Sequence, residues 1–288
     1  MPAPKIHHIP VTIADVVQET ADTVTLWLDA GNFPRDYKAG QYVSVDPRQF
    51  RAIAGYTAYL EENKGRKEPP RAYSMCSSPD EPYLGITVKE EYFEHGKTKY
   101  PPLLSPFLVH HPLKGQKMEV TGYAGAYLVT EDLANHTDHL VHLCAGSGSV
   151  PNVSIIKWGL RHLPTVRHTF IYSNKTWNDI IFRDALADLE QQYPGRLRTI
   201  HTLTREPADF PYTDRVIKGR VSADLISRLV PDLKSAIVYA CGPAVTVWEK
   251  RAAKATGTEP TPRFMESVMD ALKQLEMPHE RIKEEAFG

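Results

Sequence analysis

Apolar positions recur along this chain in two rhythms. From residue 10 to about 125 they come in short β-branched or alternating runs, at 11–17, 24–28, 41–45, 85–89 and 117–121, separated by Gly, Pro and Asp turns. Short strands punctuated in this way predict a small antiparallel β-barrel. From about residue 137 the rhythm becomes strand, helix, strand. An apolar strand at 139–144 precedes a helix at 151–162 carrying Val153, Ile156 and Leu160 on one face, and a second strand follows at 168–173. Residues 179–193 place Phe182, Leu186, Leu189 and Tyr193 at helical spacing before a stop at Pro194-Gly195. A third strand at 198–204, a short helix at 222–230 capped by Ser222, a fourth strand at 235–241, a long helix at 262–276 and a closing segment at 283–287 complete the series. Alternating β and α elements at this spacing predict a doubly wound parallel sheet.

The two patterns divide the chain into a barrel domain over residues 1–130 and an α/β domain over 131–288, with the junction in the polar stretch 126–138. No internal repeat occurs. Residues 48–70 contain EENKGRKEPP, too charged for core and too long for a hairpin turn. They are expected to form a solvated surface loop, with a lid or a partner-docking element as the sharper alternative.

Composition then removes whole classes of function. A net charge of −1 over 288 residues gives no global basic field, which argues against nucleic acid as a partner. The first residues show no basic segment followed by an apolar core and a cleavage site, and no apolar run reaches about 18 residues, so a cytoplasmic location without membrane insertion is expected. Cys76, Cys144 and Cys241 are far apart and form no CxxC pair, so neither a disulfide framework nor a four-thiolate metal or iron-sulfur site can be built from them. The doublets His7-His8 and His110-His111 point their rings in different directions on a helix or a strand, and no metal site is predicted.

Candidate chemistry gathers where the strands of the second pattern end, because doubly wound sheets bind ligands at the carboxyl ends of their strands. CAGSGSVP, residues 144–151, joins an apolar strand to a helix through Gly146 and Gly148. A close backbone approach beside unpaired helical N–H groups suits a phosphate. The next two ends supply a cation each, Lys175 after Ser173-Asn174 and Arg205 after Thr204, and the last places the thiol of Cys241 before Gly242-Pro243. This set suits a dinucleotide phosphate better than a neutral ligand. The second strand lacks the terminal acid that would bond an unmodified ribose, and Lys175 and Arg205 suit a 2′-phosphate, which favours NADPH with NADH left open. A buried strand thiol is ordinarily a small hydrophobe, the reading given to Cys144; Cys241, at the switch point, is read as functional.

GQYVSV (40–45), RAYSMCSSP (71–79), LGITVKE (84–90), GYAG (122–125), CAGSGSVP (144–151), IYSNKTWNDIIFRDAL (171–186), LTRE (203–206), YACGP (239–243) and the terminal EAFG follow one another along the chain. This ordered set, spanning residue 10 to the C-terminus, resembles the ferredoxin-NADP reductase superfamily, and within it the flavin and nicotinamide modules of oxygenase reductases. The resemblance implies a flavin-binding barrel and a nicotinamide-binding α/β domain. It implies that Arg71 pairs with the flavin phosphates, that Tyr73 packs beside the ring, that Ser74 bonds the ring nitrogen accepting hydride, and that Val88 belongs to the same site. A guanidinium forks onto phosphate oxygens and a phenol covers a flat apolar ring, so the chemistry agrees.

Ser105, read as a helix N-cap with Pro106 in the first helical position, matches a second phosphate anchor. Here the chain departs from the family pattern, inserting KTKYPPLL between Gly96 and Ser105 where relatives run from glycine to serine within a few residues. FMN therefore stays open beside FAD, which is favoured. In the second domain the resemblance assigns Gly146, Gly148 and Pro151 to the pyrophosphate loop. It gives Ser173, Asn174, Lys175 and Arg205 to the ribose-phosphate end, and Cys241, Gly242 and Pro243 to the segment under the nicotinamide. Glu285 and Phe287 match residues that the family brings beside the flavin, so Ser74, Cys241 and Glu285 are the expected catalytic residues.

The implied function is hydride transfer from NADPH to FAD followed by release of single electrons to a redox protein. Relatives often carry a fused four-cysteine ferredoxin domain or a globin. Neither is expected here, so the electrons are expected to leave for a separate ferredoxin or an oxygenase component, with small acceptors as a further option. The charged stretch 64–71 is read as a docking surface for an acidic partner. Two alternatives stand beside this: an NAD(P)H:flavin reductase that releases reduced flavin, and a non-catalytic subunit, against which intact Ser74 and Cys241 count.

Overall fold

A computed structural model of the chain describes residues 7–93 and 98–287. Its contacts divide the chain into two compact units, Met1–Leu128 and Val129–Gly288.

The first unit is built on β1 (His7–Thr20), β2 (Thr23–Asp29), β3 (Tyr42–Val45), β4 (Arg71–Ser74), β5 (Leu84–Lys89) and β6 (Lys117–Ala124). They lie in the order β4-β3-β6-β1-β2-β5, with every neighbouring pair antiparallel. A bridge from Met75 to Ile86 joins the two outer strands, reinforced by the Cys76 N–H donating to the Gly85 carbonyl at 2.8 Å. That bridge closes the expected barrel and leaves few open edge groups. Alternation points Ile9, Val11 and Ile13 of β1 inward until a register shift between Ile13 and Asp15 interrupts it. These side chains meet Val24, Leu26, Val43, Val45, Ile86, Val88 and Val120 in one core.

Residues 48–70 are not the loop expected from their charge. Two 3-10 turns, Pro47–Gln49 and Arg51–Ile53, lead into helix α1 (Ala54–Lys64), which Gly65 ends in the left-handed region at φ 63°. Only Thr57 and Leu60 are buried, and the N-cap Ile53 offers no side-chain bond. The apolar stripe and the polar cap that announce a helix are both missing from this one. A second short helix, α2 (Ser105–His110), begins one residue earlier than expected: its N-cap is Leu104, and Ser105 is already helical.

The second unit alternates strands and helices: β7 (His139–Ala145), α3 (Ser149–His162), β8 (Arg167–Asn174), α4 (Arg183–Gln192), β9 (Leu197–Leu203), β10 (Val216–Lys218), α5 (Ala223–Leu229), β11 (Ile237–Pro243), α6 (Val247–Thr256), α7 (Phe264–Gln274) and β12 (Ile282–Phe287). All six strands are parallel, in the order β10-β9-β8-β7-β11-β12. The order reverses between β7 and β11, and this switch point is where a doubly wound sheet opens a crevice.

Along these strands the two faces differ. Val141, Leu143, Ile171, Ile200 and Val238 join Ile226 of α5 and Val268 and Leu272 of α7 in an aliphatic cluster. The alternate positions carry rings instead: His142 stacks on His168 and on Tyr239, and Phe170 lies against Tyr172. The C-terminal carbonyls of α3 are gathered by one guanidinium, Arg196, which donates to Leu160 O and Leu163 O at 2.7 Å each and to Val166 O at 2.9 Å.

Local boundaries correct the sequence pattern in three places. The helix expected at 179–193 starts at Arg183, because Phe182 adopts φ 60° and residues Trp177–Asp179 form their own 3-10 turn, closed by reciprocal Thr176 and Asp179 bonds. Strand β10 and helix α6 were not anticipated; β10 has three residues, and α6 buries only Ala253, so neither displays a sustained period. Ser222 caps α5 as expected, accepting from the Leu225 N–H at 3.2 Å. Among the described residues no helix is long and apolar enough to cross a membrane.

Candidate functional site

In the barrel, the predicted residues centre on β4. Arg71 pairs with Val45, Tyr73 with Val43 and Ser74 with Tyr42 of β3. Alternation places Arg71 and Tyr73 on one face and Ser74 on the other. Tyr73 packs against the barrel core, and burial, with the Glu91 carboxylate nearby, pushes its phenol up. Arg71 donates from Nη2 to Glu68 Oε2 at 3.0 Å and from Nη1 to Pro69 O at 3.0 Å. Its remaining N–H groups are available to an anion.

The side chains of Val88 and Ser105 are both engaged within the barrel, and the capping role read for Ser105 needs correction. Val88 is a core residue with 0% exposure, paired with Val24 of β2, so its side chain is held inside the barrel. Ser105 is not a cap: its hydroxyl accepts the Glu91 N–H at 3.0 Å, and it tethers the strand exit after β5 to α2. Gly96, the companion of Ser105 in the family pattern, lies outside the described residues. Two grooves on the barrel, about 310 Å³ beside His7, Lys38 and Tyr123 and about 390 Å³ beside Trp27 and Tyr83, contain none of the predicted residues.

In the second unit the predicted residues converge on the switch point. The 3-10 turn Gly146–Gly148 links the end of β7 to α3, and Cys144 lies beside Cys241 across the β7/β11 boundary. The two glycines have different causes. Gly146 sits at φ 53° with open space where a side chain would project, so a ligand has room beside its backbone. At Gly148, by contrast, an added Cβ would lie 2.1 Å from Cys241 O and 2.9 Å from Gly242 Cα. What approaches Gly148 is the protein's own main chain, which gives that glycine a packing cause of its own.

Around this turn lie several under-bonded polar atoms. Ser149 Oγ, at the start of α3, and Asn174 Nδ2, at the end of β8, are buried against the Tyr172 hydroxyl and make no bond of full hydrogen-bond geometry. Buried polar atoms are ordinarily satisfied, so an under-bonded pair flanking an open turn marks a place for a polar ligand. Ser173 is buried in β8, and Pro151 is buried in the first turn of α3. Lys175 and Arg205 are exposed and have no ion-pair partner among the described residues; the Arg205 main-chain N–H donates to Lys175 O at 2.8 Å, which sets the two residues side by side.

Cys241 and Glu285 are opposite one another in the β11/β12 register, and Pro243 is opposite Phe287. Burial first, then the Glu285 carboxylate, pushes the Cys241 thiol well up, which keeps it protonated and makes it a weak donor rather than a nucleophile. Burial does the same to Cys144. Gly242 admits the Phe264 ring, which an added Cβ would meet at 2.6 Å.

Sequence reading missed the residues that hold the turn. Tyr172 donates from its hydroxyl to Gly146 O at 2.9 Å. Asn152 donates from Nδ2 to Gly148 O at 2.8 Å and accepts at Oδ1 from His142 Nδ1 at 2.8 Å. His142 Nε2 is therefore the acceptor for His168 Nδ1–H at 3.0 Å. Asn152 lies one turn into α3 after GSG, and an amide in that largely apolar stretch was the available signal. Ser149 and Glu68 were also missed.

The family model for the oxidoreductase NAD-binding domain matches residues 143–247, the stretch from the end of β7 to the start of α6. The ferredoxin reductase component of 3-ketosteroid-9-alpha-monooxygenase from Mycobacterium tuberculosis is 28% identical over 283 residues, covering 98% of this chain and 66% of that protein. A subunit of 1,2-phenylacetyl-CoA epoxidase from Escherichia coli is 27% identical over 286 residues, covering 96% of this chain and 67% of that protein. The chain is thus similar, along nearly its whole length, to reductase components of oxygenase systems. It spans about two thirds of the length of these curated relatives. Among solved structures, the FAD/NAD-binding domain of nitric oxide dioxygenase from Vibrio cholerae superimposes with a TM-score of 0.70 at 20% identity, covering 97% of this chain and 98% of that one.

The matched family model is that of an NAD-binding domain, and the Vibrio cholerae domain is named for FAD as well as NAD. The residues present fit both groups. Arg71 keeps donors free beside the half-buried phenol of Tyr73, and the open face of Gly146 is flanked by the under-bonded Ser149 Oγ and Asn174 Nδ2.

Proposed function

We propose that the chain is a flavin-dependent NAD(P)H oxidoreductase that takes hydride from NADPH onto FAD and passes electrons singly to a separate ferredoxin or oxygenase component. The observation that carries this reading is the pair of under-bonded buried polar atoms, Ser149 Oγ and Asn174 Nδ2, beside the open turn at Gly146. A bound flavin supplies the capacity to accept a hydride and return electrons one at a time. Arg71 holds the flavin phosphate, Tyr73 covers the ring and Ser74 bonds the ring nitrogen. The turn at 146–149 and Asn174 hold the pyrophosphate, Lys175 and Arg205 a 2′-phosphate, and the protonated Cys241 with Gly242, Pro243, Glu285 and Phe287 frames the reacting ring.

A separate acceptor is supported by the relatives, one a ferredoxin reductase component of a monooxygenase and the other a subunit of an epoxidase. A cytoplasmic location fits a donor such as NADPH. One observation favours a second reading, an NAD(P)H:flavin reductase that releases its product: the Ser105 hydroxyl already serves the Glu91 N–H, which weakens the second phosphate anchor.

Colour separates these. The purified protein is expected to be yellow and to bleach anaerobically with NADPH. Colourless protein that oxidises NADPH only with added flavin would select the second reading, and colourless protein inert under both conditions would remove both.

A further inference from the structure

We propose that Glu68 is a positioning residue, a buried carboxylate that aims Arg71 at the flavin phosphate while tying helix α1 to strand β4. This rests on the reading of Arg71 as the phosphate anchor. The Glu68 side chain is 1% exposed. Its Oε1 accepts from Lys64 Nζ at 2.6 Å and its Oε2 from Arg71 Nη2 at 3.0 Å, so each oxygen serves one cation. Its own N–H donates to Glu61 Oε1 at 2.9 Å. A carboxylate this deeply buried persists as an ion only where opposite charges meet it. Burial pushes its acid form up, and the Lys64 ammonium and Arg71 guanidinium outweigh that and hold the carboxyl below its usual range.

The guanidinium is planar, so fixing two of its nitrogens fixes the direction of the others. Nη2 is held by Glu68 and Nη1 by Pro69 O, which fixes the plane and direction of the guanidinium and leaves three N–H groups, Nε–H among them, for an anion. Lys64 is the last residue of α1, and its ammonium also lies 5.3 Å from the centre of the Tyr100 ring. Tyr100 meets Tyr59 at 6.3 Å, and the Tyr56 hydroxyl donates to Pro101 O at 2.8 Å. The charged segment 48–70 and the inserted residues before α2 thus form one layer, and Glu68 connects that layer to Arg71.

Removing the carboxylate has two opposed consequences. The local positive potential rises, which attracts an anion, and the guanidinium loses its fixed direction. Orientation governs under the proposal, so phosphate binding weakens; were Glu68 a competitor for Arg71, it would tighten. Glu68→Gln keeps the size but offers one acceptor oxygen, too few to bridge both cations.

The test measures dissociation constants of riboflavin, FMN and FAD for the full-length apoprotein by fluorescence quenching, with thermal unfolding as a check on the fold. Glu68→Gln is expected to weaken FMN and FAD by about tenfold and to leave riboflavin, which has no phosphate, within about twofold. Should that variant fail to fold, Glu68→Asp keeps the charge, shortens the reach and is expected to show the same selective loss. Equal losses for all three flavins, or unchanged or tighter binding of FMN and FAD, would overturn the proposal. Arg71→Ala separates it from the reading beneath it. If Arg71→Ala weakens FMN and FAD and Glu68→Gln does not, only the positioning role falls; if Arg71→Ala leaves them unchanged, the phosphate anchor falls too.

Discussion

The two units bury ionisable groups under opposite rules. The barrel buries Glu68 as an ion between Lys64 and Arg71, whereas the second unit buries His139, His142, His168 and His201, none more than 8% exposed. Burial pulls the affinity of His142 and His201 for protons down to about 4 and that of His168 well down, so these rings are neutral at pH 7. Among the described residues the barrel's own histidines are exposed or half-buried. The difference follows from what each unit holds in place. A charged clamp aims a side chain, Arg71; a neutral chain of rings and an amide, His168 to His142 to Asn152, holds a main-chain carbonyl at Gly148.

If main-chain geometry organises the second unit, the strongest perturbation is steric. Gly148→Ala drives a methyl group to 2.1 Å from Cys241 O, so β7 and β11 must separate. The expected cost is about 3 kcal/mol or more in urea unfolding of this unit, because backbone cannot yield as a flexible side chain does. Gly146→Ala meets no atom within 4 Å and is expected to cost only about 1 kcal/mol, for holding alanine at positive φ. Equal losses at both positions would show that the two glycines share one cause.

Acid sharpens the comparison next. A histidine whose folded form resists protonation binds fewer protons when native than when unfolded, so its contribution is present above about pH 6.5 and is lost as pH falls toward about 4. Protonating His142 also sets Nε2–H against the His168 Nδ1–H, which breaks the chain that ends at Gly148. Each such histidine is expected to cost the second unit on the order of 3 kcal/mol across that window. Glu68 loses its contribution in the same direction but later: its carboxyl titrates below the usual range, so that contribution survives until the pH falls below about 4.5. Three of the four tryptophans, Trp158, Trp177 and Trp248, lie in the second unit, so fluorescence should report its transition before far-UV dichroism reports loss of the barrel. A single coincident transition would contradict the contrast.

The same contrast explains what the sequence disclosed. Alternation and helical spacing state where backbone goes, so the barrel strands, the parallel sheet and the switch-point segments were readable from periodicity. Spacing is silent about which atoms meet across the fold. That Gly148 yields to Cys241, that Ser105 serves Glu91, and that Glu68 bridges Lys64 and Arg71 are contacts between distant or non-periodic residues. Helix α1 was hidden for a local reason, since two buried positions in eleven residues leave no stripe to detect.

The smallest expected effect concerns the one place where the second unit offers charge as the barrel does. Lys175 and Arg205 stand exposed at the ends of β8 and β9 with no ion-pair partner among the described residues, and the Arg205 main-chain N–H to Lys175 O bond keeps the two residues adjacent. Exposed cations gain little from isolated pairing but more from a doubly charged phosphate that both can reach. Lys175→Ala and Arg205→Ala are each expected to raise KM for NADPH about fivefold, leaving kcat and the KM for NADH unchanged within about twofold. Raised salt should erode the NADPH preference of the native chain and have little left to erode in the double variant. A parallel rise in KM for NADH would place these cations on a part common to both nucleotides, and the resemblance between the two units' anion anchors would then end at the pyrophosphate.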